Sequence, residues 1–219
     1  MTKKEPEVQN VGSLAQFAYE ELREQLITLE LPPGQPLHEA ELGKSLGVGR
    51  TTIREAFRRL ECDYLIVSHP RRGTFATNVD LAELSEVTEV RILLEPLAAR
   101  RAAKSASPQL REEIRQRADF LDKLDPSTDE RTLMRHDMAV HRLIYQAAGN
   151  SRLEEMLVRY DNLATRIWCY LLDKLPSVAS HIKENAALLR AIADGDEARA
   201  SSLAEDNITE FETVVRKVL

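Results

Sequence analysis

Two groups of side chains in this 219-residue chain have types and spacings that could do chemistry. The first is Asp137 with His141. On a helix, residues four apart share a face, so a carboxylate and an imidazole can converge on one point. That is half of a metal site, and it is equally a capping or ion-pair arrangement on a solvated face. The second group is basic. Arg50, Thr51, Thr52, Arg54, Arg58 and Arg59 fall between the apolar positions Ile53, Ala56, Phe57 and Leu60. At helical spacing the apolar set faces a core and the rest is left for other surfaces. Arginine forks fit guanine edges and phosphates, and threonine hydroxyls fit phosphates, so such a helix suits the major groove of DNA. A little further on, His69-Pro70-Arg71-Arg72-Gly73 puts two arginines at a turn.

Elements must hold these groups in place. A short helix is expected from about His38, with Leu42 and Leu46 on one side. Gly47 and Gly49 bracket a tight turn, and the basic helix starts at about Arg50. Strands at Leu65 to Val67 and Thr74 to Ala76 make a hairpin around the arginine turn. Two helices, a turn and a hairpin add up to a winged helix-turn-helix, with double-stranded DNA as the partner. The whole chain carries a formal charge of -6, which by itself argues against nucleic acid. The distribution answers this: from Arg50 to Arg72 there are six arginines against Glu55, Glu61 and Asp63, a local charge of +3. A local patch suffices for phosphate binding.

The remaining sequence sets the frame. With 43% hydrophobic residues the chain is globular and long enough for two modest domains. Cys62 and Cys169 lie far apart and suggest neither a metal spacing nor a disulfide framework, only buried thiols in a reducing cytosol. No stretch approaches the length of a membrane span, and MTKKEPEVQN lacks an apolar signal core, so a cytoplasmic location is expected. Residues 1–12 read as a flexible arm, 13–78 as the DNA-binding domain and 80–219 as an all-helical domain. Six helices are expected there: Asp80–Lys104 with a kink at Pro96, Pro108–Leu124, Asp129–Ala148, Ser151–Leu172, Ser177–Asp194, and from Asp196 to about Val218. The fold class is therefore mostly α, a winged helix-turn-helix followed by an antiparallel helical bundle, which places ligand sites between facing helices.

The runs LGVGRTTIREAFRRLE and PRRGTF, with LAQFAYEELREQLITLELPPGQPL before them, closely resemble the DNA-binding domain of GntR-type bacterial transcription regulators. The resemblance implies that Arg50, Thr51, Thr52 and Arg54 contact an operator, and that Gly73, beside Arg72, lets the wing backbone approach DNA. Three positions depart from the pattern. Gly49 replaces a serine or threonine, Tyr64 replaces the glycine that closes the recognition helix, and Ala40 replaces a base-reading arginine of the fatty-acid-responsive members. DMAVHRLIYQAAGNSRL and EVRILLEPLAARRAA resemble the effector domain of the FadR-like branch, nearer its six-helix, vanillate-regulator type with an FCD-type domain.

In metal-binding members of that branch an aspartate and three histidines hold a divalent ion, whose coordination a small organic acid completes. Asp137 and His141 match the first two ligands. Counting from Gly195-Asp196, Asn185 and Asn207 stand where the other two histidines are expected. Amide oxygen is a poor ligand for zinc or nickel, so the resemblance implies a metal site that is weak or absent. The asparagines, each a donor and an acceptor, could instead bind a polar ligand directly. Arg91 matches a pocket arginine that would pair with a ligand carboxylate, or it forms a surface ion pair with Glu95 or Glu89. His181, one turn before Asn185, is expected to be exposed or capping rather than a substitute ligand. The implied protein is a homodimeric, ligand-responsive regulator, a repressor relieved by a small organic or sugar acid. An enzyme using Asp137 and His141, or an architectural DNA binder without a ligand, are the alternatives.

Overall fold

The computed structural model describes residues 11–125, 127–175 and 179–218. They form two compact units, one ending at Asn78 and the other beginning at Val79. In the first unit α1 (Val11–Ile27) precedes β1 (Pro36–Leu37), α2 (Glu39–Leu46), α3 (Arg50–Cys62), β2 (Ile66–His69) and β3 (Gly73–Ala76). Ala15, Ala18, Leu22 and Leu26 recur at helical spacing on α1 and are buried, as are Ile53, Ala56, Phe57 and Leu60 on α3, the helix it packs against. The turn between α2 and α3 works as the glycines predict. Gly47 adopts φ 68°, and its N–H returns to the carbonyls of Gly43 and Lys44.

Three local differences from expectation have physical reasons. Helix α1 begins at Val11, inside the segment read as an arm, whose residues 1–10 lie outside the described ones. The hairpin strand starts at Ile66 rather than Leu65, because the Leu65 N–H donates back to Leu60 O at the end of α3. A third strand, β1, pairs antiparallel with β3 through Pro36↔Phe75 and Leu37↔Thr74, giving the order β1-β3-β2. Two residues are too few to show an alternating pattern.

The second unit has six α-helices among its described residues: α4 (Glu83–Ser105), α5 (Pro108–Asp122), α6 (Glu130–Ala147), α7 (Ser151–Leu171), α8 (Ala179–Asp194) and α9 (Glu197–Arg216). Helix α4 runs unbroken through Pro96. The residues just before α8, where the fifth helix of this unit was expected to begin at Ser177, lie outside the described ones. Start signals in the sequence act as caps. Ser107, Asp129, Asn150 and Asp196 each accept a backbone N–H of the first turn of α5, α6, α7 and α9. Gly149 and Gly195 take φ 62° and 80° at the ends of α6 and α8. Helix α4 packs against α9, α7, α6 and α8. It buries Ala98, Ala99, Ala102 and Ala103, while α9 buries Ala200 and Ala204, small side chains that permit close approach. Arg111 of α5 ties helix ends together, donating to Ala103 O and Ala106 O beside the end of α4 and to Ile192 O and Ala193 O at the end of α8.

Candidate functional site

The first unit presents a basic surface. On α3, Arg50, Thr51, Arg54 and Arg58 are exposed. Arg54 is held from outside the helix: its Nε donates to both carboxylate oxygens of Glu39 on α2, at 3.0 and 2.9 Å. Arg59 turns the other way, over the Tyr19 ring at 3.7 Å and onto Gln16, so it belongs to the packing of α1. Thr52 does not stand with the exposed set. It is 7% exposed, because its position falls beside Ile53 and Ala56 on the side of α3 turned to the core. At the wing tip Arg71 has φ 65° and Gly73 φ 100°, and Arg71, Arg72 and Gly73 are all exposed.

The second unit buries a polar site where five helices meet. Asn185 of α8 donates through Nδ2 to Asp137 Oδ1 of α6 at 2.7 Å, and Asn207 of α9 donates to Asn185 Oδ1 at 2.7 Å. Asn185 thus presents its amide N–H to Asp137 and its amide oxygen to Asn207. His141 lies one turn from Asp137, with Nε2 3.8 Å from Asp137 Oδ2 and Nδ1 3.5 Å from Glu95 Oε2 of α4. Arg91 is buried rather than on the surface. Its Nε donates to Glu95 Oε1 at 2.5 Å, and its Nη2 lies 3.6 Å from Asp161 Oδ1 of α7. Sequence reasoning thus named five residues that the fold brings together: Arg91, Asp137, His141, Asn185 and Asn207.

Charge balance governs this site. Burial disfavours the His141 imidazolium, but the carboxylates of Asp161, Asp137 and Glu95 outweigh it and raise the group to about 9. Burial alone would raise Glu95; Arg91 and His141 instead hold it down at about 2. For Asp161 burial wins and the carboxyl is raised, against the pull of His141 and Arg91. Burial also lowers His181, partly offset by Asp137. His181 is not exposed: it is 8% exposed and lines the site, its ring 4.7 Å from that of Trp168.

The donor set does not fit a transition metal. Asn185, at the position where the resemblance implies a third imidazole, points an amide N–H at Asp137, where a cation would have to sit. Glu95, His141 and Asp161 offer ligand atoms within 4.8 Å of one another, but Arg91 already supplies the positive charge between these acids. What remains is a small polar cavity of about 10 Å³, close to the space one water needs, lined in part by Asp161, Thr165, Trp168, Asn207 and Phe211. Asp161, missed from the sequence, had a signal: it lies on the stripe Leu157, Ala164, Trp168 of α7, an acid at an apolar position.

Comparison with known proteins agrees with both halves. Residues 14–76 match the bacterial regulatory proteins of the gntR family, and residues 86–210 match the FCD domain. A protein of Paenarthrobacter nicotinovorans named "Probable D-xylose utilization operon transcriptional repressor" is 30% identical over 179 residues, 82% of this chain and 76% of its own length. An uncharacterized HTH-type transcriptional regulator of Bacillus subtilis (strain 168), YdhC, is 27% identical over 66% of this chain and 65% of its own length. In fold, E. coli McbR/YncC superposes with a TM-score of 0.81 at 22% identity, covering 94% of this chain and 98% of that one. A GntR regulator of Rhodococcus sp. RHA1 gives 0.72 at 21% identity, over 94% of this chain and 99% of that one. Among the described residues no helix is long and apolar enough to cross a membrane. The chain belongs to the GntR family of bacterial transcription regulators, in the FadR-like branch whose DNA-binding domain is followed by an FCD effector domain.

Proposed function

We propose that this regulator binds a pseudo-palindromic operator as a cytoplasmic homodimer and, as a repressor, releases it when a small molecule enters the buried polar site. The observation that carries the DNA part is the exposed set Arg50, Thr51 and Arg54 on α3, with Arg72 and Gly73 at the wing tip. Glu39 keeps the Arg54 fork extended from α3 until DNA takes its place. The name of the Paenarthrobacter relative supports a repressor. For the dimer, α4 and α7 leave Leu93, Met156 and Tyr170 exposed at 74%, 47% and 52%, apolar surface of the kind that interfaces cover. Release follows from linkage: an effector that binds better to one arrangement of the dimer shifts DNA affinity by that difference.

The effector contacts would come from Arg91, Asp137, His141, Asn185 and Asn207, serving binding rather than turnover. An organic or sugar acid, the class implied by the family resemblance, needs a cation to meet its carboxylate. Arg91 and His141 already face acids, so such a ligand would have to break the Arg91–Glu95 pair. The test is operator selection from random duplexes, then gel-shift titration. Arg54→Ala is expected to cost roughly 1–3 kcal/mol of specific affinity with folding intact. Unchanged specific affinity would remove Arg54 from the readout, and failure to select any sequence would refute operator binding.

A further inference from the structure

Three residues lining the buried cavity each hold a polar atom without a hydrogen-bond partner: Asp161 Oδ2, Trp168 Nε1 and His181 Nδ1. All three residues are more than nine-tenths buried. Native interiors rarely leave such atoms unpaired, and a site shaped for a ligand is one place where they occur. Their chemistry is mixed. A carboxylate oxygen accepts, an indole N–H only donates, and the imidazole nitrogen does either according to tautomer. A ligand carboxylate could answer the indole but would be repelled by Asp161. An ammonium could answer Asp161 but has nothing to accept the indole N–H. A hydroxyl does both.

Charge and shape point the same way. Arg91 is engaged by Glu95 and Asp161, and His141 lies against Glu95 and Asp137, so both of these positive groups already face carboxylates. The Trp168 ring stacks on Phe211 at 5.0 Å and 22° and lies 4.7 Å from His181, so packing with these rings holds the indole in place while its N–H is left without a partner. The space of about 10 Å³ admits one hydroxyl before anything moves. A larger ligand must widen the cavity, and the hydrogen bond from Asn207 to Asn185 is one that a ligand hydroxyl can replace partner for partner. We infer that this site takes an uncharged polyhydroxylated ligand, a sugar or polyol, in preference to an organic acid. The inference rests on the effector role proposed above.

Calorimetry and thermal melts of the full chain test it with matched probes: D-glucose against D-gluconate and D-glucosamine, D-xylose against D-xylonate, and the corresponding alditols. A neutral member is expected to raise the melting temperature of the second unit by roughly 5–10 °C at about a hundred times its Kd, and to bind more tightly than its acid or amine counterpart. Trp168→Phe, which keeps an aromatic ring on Phe211 and removes the indole N–H, and Asp161→Asn, which keeps the shape, should each weaken that binding about tenfold. An aldonate that binds more tightly than its neutral parent would overturn the inference. So would the absence of binding by every neutral probe, or full affinity in both variants. Operator binding by the unliganded protein is measured separately, and its failure would count against the regulatory reading and not against the ligand chemistry.

Discussion

Replacing Asn185 by alanine removes both hydrogen bonds of the Asp137–Asn185–Asn207 chain, each 2.7 Å long. Asn185 is 0% exposed, with Asp137 and Asn207 at 4% and 7%, so bulk water is not there to substitute. The bond to the carboxylate is worth about 1.5–3 kcal/mol and the amide–amide bond about 0.5–1.5 kcal/mol. The space left behind adds roughly 1 kcal/mol. The loss should therefore reach about 3–5 kcal/mol, a large share of the 5–15 kcal/mol typical of a domain. Asn207→Ala removes only the weaker bond and should cost about 1–2 kcal/mol. The two changes share that bond, so the double variant should fall short of the sum by about 1 kcal/mol. Urea unfolding followed by Trp168 fluorescence reads the second unit alone and gives the cycle directly. Additivity within about 0.3 kcal/mol would refute a bridging role for Asn185.

Three further outcomes are expected. His141 stands at about 9 in the folded chain against an ordinary 6.5, so its stabilising contribution is complete below about pH 6.5 and lost as pH rises through 9. Melts from pH 6 to 10 should record a loss of up to about 3 kcal/mol that His141→Gln flattens; a wild-type curve without it contradicts the charge balance described. Tyr64 holds a left-handed φ of 60° while 64% exposed, so Tyr64→Gly should relieve strain at little packing cost. A gain of about 0.5–1 kcal/mol in chemical denaturation of the first unit is expected, and a loss would show that the tyrosine ring matters more than its backbone. Asn185→His combined with Asn207→His should create a site of three imidazoles and a carboxylate that retains zinc or nickel through dialysis. The natural chain should retain little by elemental analysis, and stoichiometric metal there would show the amides to be no obstacle.

How much the sequence disclosed varied with the range of the interaction. Caps and stops are local, so Asn150, Asp196, Gly149 and Gly195 could be placed on helix ends from their neighbours alone. Asp137 with His141 was legible as a one-turn pair. Asn185 and Asn207 became legible only by resemblance, since no local rule marks a buried asparagine. The burial of His181 had no local signal, because it packs against Trp168, on another helix. Thr52 was grouped with Thr51 by residue type, although it lies four residues before Ala56 and so on the core side of α3. Arg91 illustrates the remaining limit. Both partners considered for it were plausible, and only the packing of α4 against α7 reveals that the Glu95 pair is buried and that Asp161 joins it.

Trp168 is the only tryptophan in the chain, and it stands between His181 and Phe211 beside the cavity. The protein thus carries a built-in optical reporter at one address. Excited selectively, the second unit emits while the DNA-binding unit stays dark. A ligand that displaces the neighbouring imidazole, or a shift in its protonation, alters the emission without any label. DNA engagement, in contrast, can be followed through a dye on the duplex. The two halves of the regulatory cycle can then be watched in separate colours in one cuvette, and the order in which ligand entry and operator release occur becomes a matter of comparing two time courses.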